Sequence, residues 1–284
     1  MTAAPERLTR NVMSAISSTN KKDTLLVSDL RLERGDRAIL GGISWQVKAG
    51  EHWVILGPNG CGKTSLINCL TGYEMATAGD ITVDGAQYGQ SDWREVRKRV
   101  GLVTSTLTFF LEPQEPVLDA VVSGREAMLN LVGEMPAKLV KEARALLKRI
   151  GCSHLEKSRW GVLSQGERQK ILICRALMAK FCVLILDEPC AGLDPVAREH
   201  FLSWLQSMAT QRSAPSLVLV THHVEEILPC FTHVLLLKDG HVLASGKKEK
   251  VLTSELLSEA YGATLEITKA GNRYQLRFVS DSGN

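Results

Sequence analysis

The chain has 284 residues with 44% hydrophobic side chains, enough to bury a full core, so a disordered chain is excluded. Its 34 basic and 31 acidic residues leave a net charge of +3, too balanced to mark nucleic acid or an anionic membrane surface as the main partner. Seven cysteines, an odd count with no C-x-x-C pair, argue against a disulfide framework or zinc knuckle and for a reducing, cytoplasmic setting.

In chain order, residues 1–22 carry no apolar signal-peptide core and read as a mobile tail. The runs Leu25 to Leu30, Ile43 to Val47 and Trp53 to Leu56 are strand-like. The third leads into Gly57-Pro58-Asn59-Gly60-Cys61-Gly62-Lys63-Thr64, which opens a helical run at Ser65. Strand, glycine-rich loop and helix in this order suit a phosphate group. The glycines let the backbone wrap it, the helix N-terminus offers N–H groups, Lys63 reaches its oxygens, and the Thr64 hydroxyl is placed for Mg²⁺. Cys61, beside Lys63 and a helix start, is expected to be a reactive thiolate shielded by bound ligand, or else a small residue chosen for fit.

The basic cluster Arg94, Arg97, Lys98 and Arg99 has the spacing of a solvated helix face, and nucleic-acid binding is disfavoured. Val100 to Val103 is strand-like. Beyond it Leu139, Ala143, Leu146, Leu147 and Ile150 recur at helical spacing, which predicts a helical insertion over roughly 91–180 in a sheet domain. Leu163-Ser164-Gln165-Gly166-Glu167 stands just before another helical run, where Ser164 and Glu167 alone read as an ordinary helix cap. The apolar strand Cys182 to Leu186 ends in Asp187-Glu188, and Leu217 to Val220 ends in Thr221-His222-His223. Asp187 is placed to hold Mg²⁺ and Glu188 to polarise an attacking water. His222 can sense a γ-phosphate, although a strand-end histidine by itself often only caps a turn. Asp239-Gly240 marks a tight turn, and the runs Thr264 to Thr268 and Arg273 to Val279 predict a terminal hairpin. No apolar stretch approaches the roughly 20 residues that cross a bilayer, so a membrane role requires another chain to form the pore.

Taken in order, the phosphate loop, Leu163 to Glu167, the acid pair, Ala191-Gly192-Leu193-Asp194 and Thr221-His222 resemble the motifs of the ATP-binding cassette superfamily over about residues 24–262. The stretches Gly50 to Trp53, Gly72-Tyr73, Tyr88-Gly89 and Asp92-Trp93-Arg94 are similar to a bacterial branch named after molybdate-transport and photorepair-like ATPases. The resemblance implies an α/β P-loop NTPase (RecA-like) sheet core with an antiparallel β subdomain and a helical signature subdomain. It implies a cassette domain over 23–262, and the hairpin predicted from the terminal runs then occupies 263–284 with the tail.

It also implies an ATPase that binds ATP and Mg²⁺ through Gly57 to Ser65, with Thr64 and Asp187 toward the metal and Glu188 and His222 as catalytic residues. A head-to-tail homodimer, or a heterodimer with another cassette, would bring Ser164 and Gly166 of one copy to the ATP of the other, with Asp194 at the interface. The energy-coupling subunit of a transporter is the leading expectation, cytoplasmic or peripheral on the inner face of the membrane, with a separate permease. The alternative is a soluble ATP-driven switch. Three positions depart from the usual pattern: Arg34 stands where many cassettes have a base-stacking tyrosine, Ser105 where a glutamine usually follows the strand, and Glu167 where importers often have glutamine.

Overall fold

A computed structural model describes residues 23–104, 107, 110–126, 135–179, 181–211 and 214–279. The N-terminal tail read over 1–22 and Ser105 lie outside the described residues.

The first sheet is antiparallel, in the order β2 (Arg37–Lys48), β1 (Asp23–Arg34), β4 (Ala78–Val83), β5 (Ala86–Gln87). Its strands alternate, with Ile43, Trp45 and Val47 of β2 facing inward, as a half-buried sheet requires. In β1 the alternation breaks between Val27 and Leu30, where the register shifts and Asp29 takes a positive φ of 45°. Gly79 faces that kink so closely that a Cβ there would lie 2.4 Å from the Asp29 carbonyl oxygen.

The second sheet has six strands in the order β10 (His241–Lys247), β9 (His233–Lys238), β3 (Trp53–Leu56), β8 (Ser216–Val220), β7 (Val183–Asp187), β6 (Val100–Thr104). From β9 to β6 all neighbours are parallel, and β10 returns antiparallel to β9. Strands β3, β6, β7 and β8 are buried at every position, which explains why they read as unbroken apolar runs. One face (Ile55, Val218, Leu235) shares a core with the antiparallel sheet and with α1 (Lys63–Thr71). The other face (Val54, Leu186, Leu219) packs under the remaining helices.

Between β6 and β7 the chain forms α3 (Val117–Ser123), α4 (Ala137–Arg149) and α5 (Gln165–Met178), with α2 (Trp93–Arg97) before β6. In α4, Ala143 and Leu147 are fully buried while Leu139, Leu146 and Ile150 pack at the core's margin, so the helical spacing is the buried stripe. After β7 comes α6 (Pro195–Ala209), and after β10 come α7 (Lys248–Val251) and α8 (Ser254–Tyr261). The terminal hairpin is β11 (Leu265–Ala270) paired with β12 (Arg273–Phe278). Among the described residues no helix is long and apolar enough to cross a membrane.

The basic cluster is largely spent on neighbours. Lys98 pairs with Glu95 and Glu126, Arg99 pairs with Asp84, and the Arg97 guanidinium lies 4.3 Å from the Tyr73 ring centroid.

Candidate functional site

Strand order brings the motifs together. Because β3, β8 and β7 are parallel neighbours, their carboxyl ends lie side by side, and the loop after β3, Thr221-His222 after β8 and Asp187-Glu188 after β7 share one edge of the sheet. Open α/β sheets bind ligands at that edge.

The phosphate loop is held from three sides. A Cβ on Gly57 would lie 2.4 Å from the Leu237 carbonyl oxygen, and one on Gly62 would lie 2.8 Å from Leu40 Cδ2, so both glycines are needed for close approach as well as for their positive φ. The β9–β10 turn supplies the third support. With φ of 47° at Asp239 and 77° at Gly240, the turn has the form expected of an Asp-Gly hairpin, and the Gly240 N–H donates to the Cys61 carbonyl at 3.1 Å. What reads in sequence as a simple hairpin turn is therefore a buttress of the loop.

Helix α1 begins at Gly62 with no side-chain cap, which leaves its first-turn amides available to an anion. Lys63 is 7% exposed, and its ammonium donates to the carbonyls of Gly57 at 2.8 Å and Pro58 at 2.9 Å. Of its three donors, one remains for an incoming oxygen. Thr64 is exposed beside it. Together with Asn59, Arg34, Arg37 and Glu188 these residues line a cleft of about 280 Å³.

On the acid side, Asp187 pairs in register with Thr104 of β6 and accepts a hydrogen bond from the Thr104 hydroxyl at 3.1 Å. Burial pushes the Asp187 carboxyl above the usual range, with the Thr104 bond opposing and the Glu188 charge adding to the rise. Glu188 takes a positive φ of 47° while its N–H donates to the Val220 carbonyl at 2.9 Å. That kink brings Glu188 Oε1 to 3.0 Å from His222 Nδ1, and the acid and histidine read from separate strands are in contact. A non-glycine residue held at positive φ is a strained position of the kind that collects at functional sites.

The segment Ser164 to Glu167 stands apart: among the described residues neither it nor Asp194 lines the cleft. Ser164 is the N-cap of α5 in a full capping box with Glu167, so its plain structural reading holds. The Ser164 backbone and hydroxyl hydrogen bonds hold the Glu167 carboxyl below its ordinary range. Asp194 caps α6, accepting from Val196 and Ala197 N–H at 2.9 and 3.0 Å. The two loops touch: Gly192 has a φ of 73°, and a Cβ there would lie 2.2 Å from the Gln165 amide.

One expectation needs correction. Cys61 is 3% exposed, and burial pushes its thiol up, outweighing the Lys63 charge that lowers it. It is a packing residue. Alkylation by iodoacetamide, read by peptide mass spectrometry, should therefore be slow at Cys61 with or without ATP, and fast labelling that ATP blocks would restore the reactive reading. Arg34, at the position of the usual base-stacking tyrosine, is tied to a neighbour and not left free. It forms a bidentate pair with Glu74 at 2.7 Å and approaches Ser65 Oγ at 3.4 Å, which holds its guanidinium on the cleft wall. Glu74, Arg37 and Thr104 were missed in sequence. Arg37 alone had a local signal, standing opposite Arg34 across the Gly35 turn. Gln114 is bonded to Arg159 and does not line the cleft.

The ABC transporter family profile matches residues 40–191. The chain is 40% identical to YlmA of Bacillus subtilis strain 168, an uncharacterized ABC transporter ATP-binding protein, over 86% of this chain and 92% of that one. It is 38% identical to YmeB of Lactococcus lactis subsp. lactis strain IL1403, with the same description, over 87% and 96%. Among solved structures it superposes on CbiO1 of Clostridium perfringens, part of the ABC transporter complex CbiONQ, with a TM-score of 0.69 and 27% identity over 84% and 94% of the two chains.

Proposed function

This chain belongs to the ABC transporter family as an ATP-binding, ATP-hydrolysing cassette, and from that premise we propose that it works as a dimer closing over two ATP molecules beneath a separate membrane permease. The observation that carries the reading is the contact between Glu188 and His222 at the same strand edge as the Lys63 loop.

Lys63 and the α1 amides bind the β- and γ-phosphates. Glu188 takes the proton of the attacking water, and His222, 3.0 Å away, holds that carboxylate in place and reaches the γ-phosphate. Asp187 and Thr64 fit Mg²⁺: a hydroxyl and a carboxylate are hard oxygen donors, and Mg²⁺ beside phosphates takes only one or two carboxylates from the protein. A carboxylate raised by burial and by a neighbouring acid is the electrostatic setting that a cation relieves. When bound, Mg²⁺ neutralises charge building on the phosphate oxygens.

Ser164 and Gly166 of a second copy would complete the site, since the α5 N-terminus they stand at is suited to an anion. The bland capping role of Ser164 dictates the test. Ser164→Asp keeps an effective N-cap but sets a carboxylate against the γ-phosphate. In a Glu188→Gln background with Mg-ATP, light scattering should report a dimer, and adding Ser164→Asp should return it to monomer when Glu167→Gln is included to spare the new carboxylate the Glu167 charge that the Ser164 hydroxyl now bonds, while Glu167→Gln alone stays dimeric. A dimer that persists in the Ser164→Asp variant would sink the trans arrangement. Affinity capture from detergent-solubilised membranes tests the permease, and recovery of soluble partners only would overturn it in favour of a switch.

A further inference from the structure

A second crevice, of about 210 Å³, opens between the end of α4, the middle of α5 and the start of α6. Its floor is apolar: Ile173, Leu193, Phe201 and Trp204 line it, the last two with ring centroids 5.8 Å apart at an interplanar angle of 30°. Its polar lining is one-signed. Arg149, Lys170 and His200 contribute basic groups, and no carboxylate lines it. Among the described residues neither Arg149 nor Lys170 makes an ion pair, although the Lys170 charge reaches Asp194 and Glu167 at longer range.

One wall carries an unexplained polar group. Gln169 is 7% exposed, and its Nε2 has no hydrogen-bond partner; the indole Nε1 of Trp204 is likewise without one. Both atoms are enclosed by protein, so they belong to the wall behind the crevice and not to its accessible surface. Arg149 and Lys170, which make no direct ion pair, and His200 give the lining a positive bias that suits an acceptor with negative charge. Ligand sites commonly combine an apolar, aromatic lining with a few such polar groups.

We propose that this crevice binds a small organic anion, a carboxylate on a single aromatic or comparable apolar body, with the ring against Phe201 and Trp204 and the carboxylate toward Arg149, Lys170 and His200. The site is separate from the nucleotide cleft, with which it shares no lining residue. It spans the helical insertion and the Leu193 loop that follows Glu188, so occupancy would tie these two parts together.

The probe is 4-fluorobenzoate, followed by ¹⁹F line broadening on the full chain, with uncharged 4-fluorobenzyl alcohol as its partner. Saturable binding of the benzoate, with saturation transfer from an indole, and binding of the alcohol weaker by about tenfold or more are expected. Arg149→Glu and Lys170→Glu, with exposed or half-exposed sites, should each weaken the benzoate by a similar factor, and His200→Glu provides a third variant should one fail to fold. A saturating non-hydrolysable ATP analogue should leave binding intact. Equal binding of both probes, indifference to all three charge reversals, a non-saturating response, or displacement by the ATP analogue would overturn the proposal. None of these outcomes bears on ATP hydrolysis.

Discussion

Replacing Glu188 with glutamine should lower ATP hydrolysis by about 10²- to 10⁴-fold, the range expected for loss of a positioned general base, while ATP still binds. The side chains are nearly equal in volume, and both tolerate the left-handed backbone of this position about equally, so the φ of 47° adds no new strain. The amide can still hydrogen-bond His222 Nδ1, since an imidazole nitrogen can meet either its oxygen or its nitrogen. What disappears is basicity. Single-turnover phosphate release, measured alongside ATP affinity, separates the two effects. Turnover within a few-fold of the wild type would remove Glu188 from the role of base and leave its strained backbone without a catalytic reason.

The second large effect is expected at Lys63, where substitution should act on binding before chemistry. Its ammonium closes the loop by donating to Gly57 and Pro58 and presents its remaining donor to the phosphates. A hydrogen bond to a charged group contributes about 1.5–3 kcal/mol, so loss of the phosphate contact alone should weaken ATP by roughly 10- to 150-fold. Lys63→Met is the better variant. The methionine keeps an apolar stem in this buried position, so the core under the loop stays filled, whereas alanine leaves a gap. Calorimetric titration with ATP reads the result, and an unchanged dissociation constant would mean that the α1 amides do the binding without the side chain.

Much of the site is legible in one dimension because its parts are local. A glycine-rich loop between an apolar strand and a helix needs only about a dozen consecutive residues to declare itself, and the acids at the end of β7 likewise follow a run buried on both faces. The helical stripe of α4 is visible for the same reason, since a helix repeats its buried positions every three or four residues. The residues that went unread act across long separations. Thr104 meets Asp187 through the pairing of β6 with β7, and Glu74, in the connection between α1 and β4, meets Arg34 at the end of β1. Neither has a neighbour in sequence that would mark it.

Cys61 shows how a local rule fails. Proximity to a lysine and a helix start lowers a thiol's pKa, and the charge does act in that direction here. Enclosure between Gly57 and the core under the antiparallel sheet acts more strongly, and enclosure is not written in the adjacent residues.

By itself the sequence determined the family and the strand-loop-helix context of the Gly57 to Thr64 loop, and it marked Glu188 and His222 as candidates at strand ends, because each depends on short-range backbone geometry and residue chemistry. The tertiary structure alone decided that Glu188 and His222 touch, that the Asp239-Gly240 turn supports the phosphate loop, that Cys61 is sealed in the core, and that an aromatic, basic crevice lies between α4, α5 and α6. These depend on strand order and helix packing, and burial and contact between distant residues exist only once the chain has closed on itself.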